Sequence, residues 1–254
     1  MLKLGVHVSI AGGISKSIDR AVGFGCNAMQ IFPRNPRQWR KGDLNEKEAQ
    51  AFKSNREKAK ISTVVVHIPY TMNLASVKPK FYKVTVKDFI SDLIDADRIG
   101  AEYLVTHMGS HKGGQAQEGL LRIANALNKI LKETQGVKTK ILLENTSGSG
   151  SWLGYNFAQH RFVFEQLNWN PRVGVCLDTA HSWAAGYRIN DAVGLNQLIR
   201  EIESEIGIDR LKVIHLNDTE VELDSKLDRH FAIGRGKIGD KGFSLIVNHP
   251  KLRE

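Results

Sequence analysis

Five short apolar runs in this sequence each end on a residue that binds metals. His67 follows TVVV, His107 follows EYLVT, Glu144 follows KILL, Asp178 follows VGVCL and His215 follows LKVI. A lone histidine in such a place is more often a hydrogen-bonded core residue than a ligand. Five imidazoles and carboxylates at five run ends are harder to assign to the core, because their desolvation is costly unless something binds them. Two pairs extend the set. Asp178 and His181 lie three apart where the run gives way to a helical pattern, and Asp228 and His230 lie two apart, a spacing that points both side chains the same way in extended chain. The donors are imidazole and carboxylate without thiolate, which suits zinc, or alternatively manganese, in open catalytic coordination. These eight residues are too many for one tetrahedral ion. Two or three metals are implied, as recurs in enzymes that cut phosphate esters.

The elements that must position these donors are legible as a repeating pattern. The runs LGVHV, AMQIF, TVVVH, EYLVTHM, KILLE, VGVCLD and LKVIHL are nearly continuous in Val, Ile and Leu, as parallel strands covered on both faces are. Amphipathic segments separate them. One opens at Pro79, carries Tyr82, Val86, Phe89, Ile90, Leu93 and Ile94 on a stripe, and closes at Gly100. A second has Leu120, Ile123, Ala124, Leu127, Ile130 and Leu131; a third runs from the cap Asn190 through Leu195, Leu198, Ile199, Ile202 and Ile206 to Gly207. Strand and helix alternate seven times, which predicts a (β/α)8 TIM-type barrel, with a doubly wound sheet as runner-up. Gly239 to His249 reads as one more helix, after which the eighth strand is missing from the chain. The expectation is a single barrel domain over residues 1–254, C-terminally incomplete, with open sheet edges that invite pairing with a partner.

Composition narrows the class of function. The 254 residues, 41% hydrophobic, suffice for one large core, and no apolar run approaches the roughly 18 residues of a membrane span. Of the two cysteines, Cys176 sits inside an apolar run and reads as a buried thiol, so a disulfide framework is excluded and a cytoplasmic setting is expected. A net charge of +9 favours a polyanionic partner. The segment PRNPRQWRKG brings Arg34, Asn35, Arg37, Arg40 and Lys41 around Trp39, a basic and aromatic mixture suited to a nucleic-acid backbone and its bases. Tyr70, next to His67 in sequence, offers a ring to stack or wedge. Gly234 to Gly239, carrying Arg235 and Lys237, reads as a flexible loop able to approach phosphate with its backbone.

With these segments in view, the chain resembles the endonuclease IV family of zinc-dependent apurinic/apyrimidinic endonucleases, built on the barrel shared with xylose isomerases. The matching stretches are HVSIAGG, NPRQW, HIPYTMNLAS, THMGSHKG, LLENTSGSGSWLG, VGVCLDTAHSWAAGY and HLNDTE…DRHFAIGRGKIG. The resemblance implies three zinc ions: His67 and His107 on one, Glu144 bridging to a second held also by Asp178 and His215, and His181, Asp228 and His230 on the third. It makes Glu144 the catalytic carboxylate and implies hydrolysis of the phosphodiester 5′ to an abasic sugar in double-stranded DNA, leaving a 3′-hydroxyl. Asn35, Arg37, Trp39, Tyr70 and Arg235 are the implied DNA contacts, with Arg37 and Tyr70 entering the base stack of a kinked duplex, and a monomer is expected where the fold is complete. The family's further glutamate at the end of the eighth strand has no counterpart here, so a weakly held second zinc is expected. Two other readings stand beside this one: a non-catalytic binder of abasic DNA, and a metal-dependent sugar isomerase or epimerase on the same barrel.

Overall fold

The structure, a computed structural model, describes residues 2–34 and 44–253. Each of the seven apolar runs forms a strand: β1 Gly5–His7, β2 Ala28–Ile31, β3 Thr63–His67, β4 Tyr103–His107, β5 Lys140–Glu144, β6 Val173–Asp178 and β7 Leu211–His215. Eight α-helices accompany them among the described residues: α1 Ser17–Gly23, α2 Glu46–Ala59, α3 Pro79–Arg98, α4 Ala116–Glu133, α5 Phe157–Gln166, α6 Thr179–Ala185, α7 Ala192–Glu205 and α8 Gly239–Asn248. The strands hydrogen-bond in chain order from β1 to β7. Sequential strands joined by helices in this order make the TIM-barrel fold, and among the described residues it has seven strands, as the sequence predicts. No helix among the described residues is long and apolar enough to cross a membrane.

The chain divides into two compact units. The first takes in residues 1–72, 83–106 and 129–141. Here β1, β2, β3 and β4 pair in parallel, and Met29, Ile31, Val64, Val66 and Leu104 are buried along them. Asn45 starts α2 by accepting from the Glu48 N–H at 2.8 Å. Near the other end of α2, Arg56 donates to the carbonyls of Ile61, Ser62 and Gly100 and to the Glu102 carboxylate at 2.6 Å, while Glu102 accepts from the Val64 N–H at 2.8 Å. One guanidinium thus fixes the entries to β3 and β4, and with them the height at which those strands end. Along α3 the predicted stripe narrows: Val86, Phe89 and Leu93 are buried, but Ile94 is exposed. The buried face includes Asp92 instead, whose charge is matched by Arg34 at 3.1 Å.

The second unit takes in residues 73–82, 107–128 and 142–254. Its β6 and β7 pair in parallel with a register shift after Val175. The predicted stripes of α4 and α7 are buried along their length. The cap of α7 is Asp191, which accepts from the Gly194 N–H, and not Asn190 as predicted. Asn190 donates to the Lys237 carbonyl instead. Both residue types cap well, and the register of the first turn decided between them.

Leu104 is fully buried in β4. Leu104→Ala is expected to cost about 2–5 kcal/mol, the range for emptying such a site, read as a lower urea midpoint. A midpoint shift near zero would show that the strand is not the packed element described.

Candidate metal centre

Four strands deliver donors to the second unit from their last residues. These are His107 of β4, Glu144 of β5, Asp178 of β6 and His215 of β7. Parallel strands of similar length end together, which turns four distant sequence positions into neighbours. Glu144 Oε2 lies 3.2 Å from His107 Nε2, and its Oε1 lies 2.9 Å from His215 Nδ1 and 3.7 Å from His181 Nδ1. Asp178 Oδ1 accepts the His181 N–H at 2.9 Å, making the aspartate both the end of β6 and the cap of α6. Its Oδ2 accepts from Asn217 Nδ2 at 2.7 Å and has His230 Nε2 at 3.9 Å and His215 Nδ1 at 4.0 Å. Asp228 Oδ1 stands 3.4 Å from His181 Nε2 and 3.5 Å from His230 Nε2. Seven of the eight predicted donors therefore belong to this cluster in the second unit. His67, the last residue of β3, lies in the first unit with Phe32 edge-on at 6.1 Å.

The imidazoles are oriented by main-chain carbonyls. His181 Nδ1 donates to the Asn145 carbonyl at 2.8 Å and His67 Nδ1 to the Ile68 carbonyl at 2.7 Å. A carbonyl only accepts, so each Nδ1 is a donor here and Nε2 is the ring nitrogen that would face a metal, the usual arrangement behind a metal-binding histidine.

Two positioning residues escape the sequence reading. Asn145 accepts the Asp178 N–H at 2.6 Å and donates to the Asp178 carbonyl at 3.2 Å and to Ser182 Oγ at 3.0 Å, while its own carbonyl orients His181. Asn217 clamps Asp178 as described. Each lies within two residues of a strand-end donor, in LLEN and HLN. That adjacency is the only trace in the sequence, and by itself it does not distinguish an orienting amide from a turn.

The electrostatics favour a cation. Glu144 is 2% exposed and Asp178 1% exposed. Burial pushes the Glu144 carboxyl up, but His107 and His215 outweigh it and hold it well below the usual carboxylate range. Burial pulls His181 down, but Asp178, Asp228 and Glu144 lift it to about 10. His215 is raised well above its ordinary value against the same burial penalty, by Cys176 and Glu144. The hydrogen bond from His181, opposed by burial, lowers Asp228. Without metal, the buried carboxylates thus hold protons on His181 and His215. Ligand atoms of Glu144, Cys176 and His215 gather within 4.8 Å of one another, as do those of Asp178, His181 and His230. Burial pushes the Cys176 thiol up to about 11, so imidazole and carboxylate are the donors that cost least to offer there. This donor chemistry fits a divalent zinc-like ion.

Of the predicted DNA contacts, Asn35, Arg37 and Trp39 lie outside the described residues. Tyr70 is 58% exposed in the first unit, and Arg235 is exposed in the second. The segment Gly234–Gly239 does not offer its backbone to phosphate as expected. The N–H groups of Gly234, Gly236, Ile238 and Gly239 all turn inward to the carboxylate of Asp218.

The xylose isomerase-like TIM barrel family model matches residues 18–253, most of the chain. Within that class, the chain belongs to the endonuclease IV family. It is 41% identical over 253 residues to a Halothermothrix orenii protein described as "Probable endonuclease 4", covering 100% of this chain and 91% of the relative. The solved endonuclease IV of Thermus thermophilus superposes with a TM-score of 0.87 at 31% identity, over 98% of this chain and 89% of that one. A D-tagatose 3-epimerase-like protein superposes with a TM-score of 0.68 at 20% identity, over 88% of this chain and 80% of that one, and shares the fold alone.

A titration follows from the electrostatics. In the metal-free protein the raised His181 contributes stability that is fully present below its unfolded value of about 6.5 and is lost as pH rises through about 10. A metal ion must displace that proton. Zinc affinity is therefore expected to rise as pH goes from 6 to 8, with protons released on binding, and His181→Asn should flatten the slope. Calorimetry in buffers of different ionisation enthalpy reads the release; an affinity independent of pH would contradict the protonated apo cluster.

Proposed function

We propose that this protein is a DNA-repair hydrolase that uses zinc to cut the phosphodiester 5′ to abasic sites, leaving a 3′-hydroxyl. The observation that carries the reading is the buried Glu144–Asp178 pair ringed by His107, His181, His215 and His230 in a chain of the endonuclease IV family. His107, Glu144, Asp178, His181, His215, Asp228 and His230 would hold metal, and the resemblance gives His67 the same role from the end of β3. Bound zinc supplies Lewis-acid neutralisation of phosphate charge and an activated water at neutral pH.

The chain's own residues do the positioning. Glu144 presents one oxygen toward His107 and the other toward His215, so each oxygen would be available to hold metal beside an imidazole. Asn145 and Asn217 hold His181 and Asp178 so that little reorganisation accompanies reaction. The net charge of +9 attracts the duplex, and the exposed Arg235 offers a phosphate contact. Arg37 and the exposed ring of Tyr70 are the residues for entering the base stack, where a missing base lowers the unstacking cost. The epimerase reading is weaker, because its solved counterparts share only the fold while the endonuclease relatives match across the whole chain.

The test is incision of a duplex carrying one abasic-site analogue. Zinc-dependent cutting 5′ to the lesion, abolished by chelator, is the expected result, and Glu144→Gln should lower kcat/KM on the order of a thousandfold, the scale of losing a main charge-stabilising group. Binding without incision by the zinc-loaded protein would leave the non-catalytic reading; turnover of free sugars would leave the isomerase one. Separately, Arg235→Ala is expected to weaken binding to every duplex alike and to lower the slope of log affinity against log salt by about one. An unchanged slope would remove Arg235 from the interface.

A further inference from the structure

We infer that Asp218 is the positioning residue of the site: one buried carboxylate that sets both the ligand pair Asp228/His230 and the basic turn carrying Arg235. Asp218 is 0% exposed, three residues beyond His215. Its Oδ1 accepts from the Thr219 and Ile238 N–H groups at 2.8 and 3.1 Å. Its Oδ2 accepts from Gly234, Gly236 and Gly239 at 3.0, 2.9 and 3.3 Å. No positively charged side chain stands among these partners; main-chain N–H dipoles alone satisfy the charge, as in an anion nest formed by the protein around its own carboxylate.

The same dipeptide holds the chain on both sides of His230. The Asp218 carbonyl accepts the Phe231 N–H at 2.7 Å, and Thr219 Oγ1 donates to the Arg229 carbonyl at 2.5 Å. The Thr219 carbonyl accepts the Lys237 N–H at 2.7 Å. Residues 229–238 form no helix or strand ladder, only an isolated bridge from Phe231 to Asp218, so these contacts substitute for one. Gly236 is required by the arrangement: a Cβ there would collide with Asp218 Oδ1 and the Thr219 carbonyl. The register in which Asp228 and His230 reach His181 and Asp178, and in which Arg235 stays exposed, is therefore set from the end of β7.

The ligand part of this inference rests on the proposed metal site; the clamp itself does not. The experiment is hydrogen exchange on the full chain, with and without zinc, for wild type, Asp218→Asn and Gly236→Ala. Asparagine cannot accept with both ends, so one set of N–H groups loses its partner. Gly236→Ala pushes the turn off an intact carboxylate and serves if Asp218→Asn fails to fold. Both variants should speed exchange of the amides of residues 231–239 at least about tenfold, with the amides of β6 and β7 unchanged, and weaken one zinc per chain about 10- to 100-fold, the scale for a residue that supports a ligand. At saturating zinc the loss should lie in KM for the abasic duplex rather than in kcat. Unchanged exchange over residues 231–239 would overturn the clamp. Faster exchange with full zinc retention and unchanged KM would overturn its role at the site, and wild type that binds no zinc would instead refute the metal reading.

Discussion

Two carboxylates taken out of water dominate this protein. Glu144 and Asp178 end adjacent elements of the second unit's sheet and are almost wholly buried. Buried anions are tolerated only when paired, and here the pairing is with imidazoles that become cationic to provide it. Everything around the cluster is consistent with that demand. His107, His181, His215 and His230 surround the two carboxylates, main-chain carbonyls or asparagine amides fix the orientations, and the excess of positive charge in the chain as a whole opposes none of it. A divalent ion that replaced the protons would satisfy the same electrostatic requirement and would supply a charge able to act on phosphate.

The supporting shell is built largely of single residues that serve two elements. Asp178 is at once a strand end, a helix cap and a candidate donor. Asn145 continues β5 beyond Glu144 while bonding the end of β6 and the start of α6. Asp218 does the same for the segment after β7. In the first unit Arg56 ties α2 to the entries of β3 and β4. Such shared contacts tie the donor positions to the strands and leave little to loop conformation, which suits a site whose donors must meet within fractions of an ångström.

The sequence by itself determined the elements and marked most of the residues that the fold gathers at the candidate site. Continuous Val, Ile and Leu runs marked all seven strands because strands covered on both faces must be apolar throughout. The candidate donors stood out because an imidazole or carboxylate closing such a run has no stabilising reason to be there. The helix stripes were legible for the same reason, save at Ile94, where periodicity could not tell the centre of the buried face from its margin. Tertiary structure decided what depends on partners far apart in the chain. Arg34 makes Asp92 tolerable inside α3, across 58 positions of sequence that carry no pattern linking them. The first-turn register chose Asp191 over Asn190 as a cap. Nothing in the sequence links Asp218 to the glycine-rich turn that begins 16 positions later at Gly234, yet the folded chain brings that turn's N–H groups onto its carboxylate. Periodicity records which face a residue shows to the core, whereas a hydrogen bond between distant segments exists only once folding has brought them together.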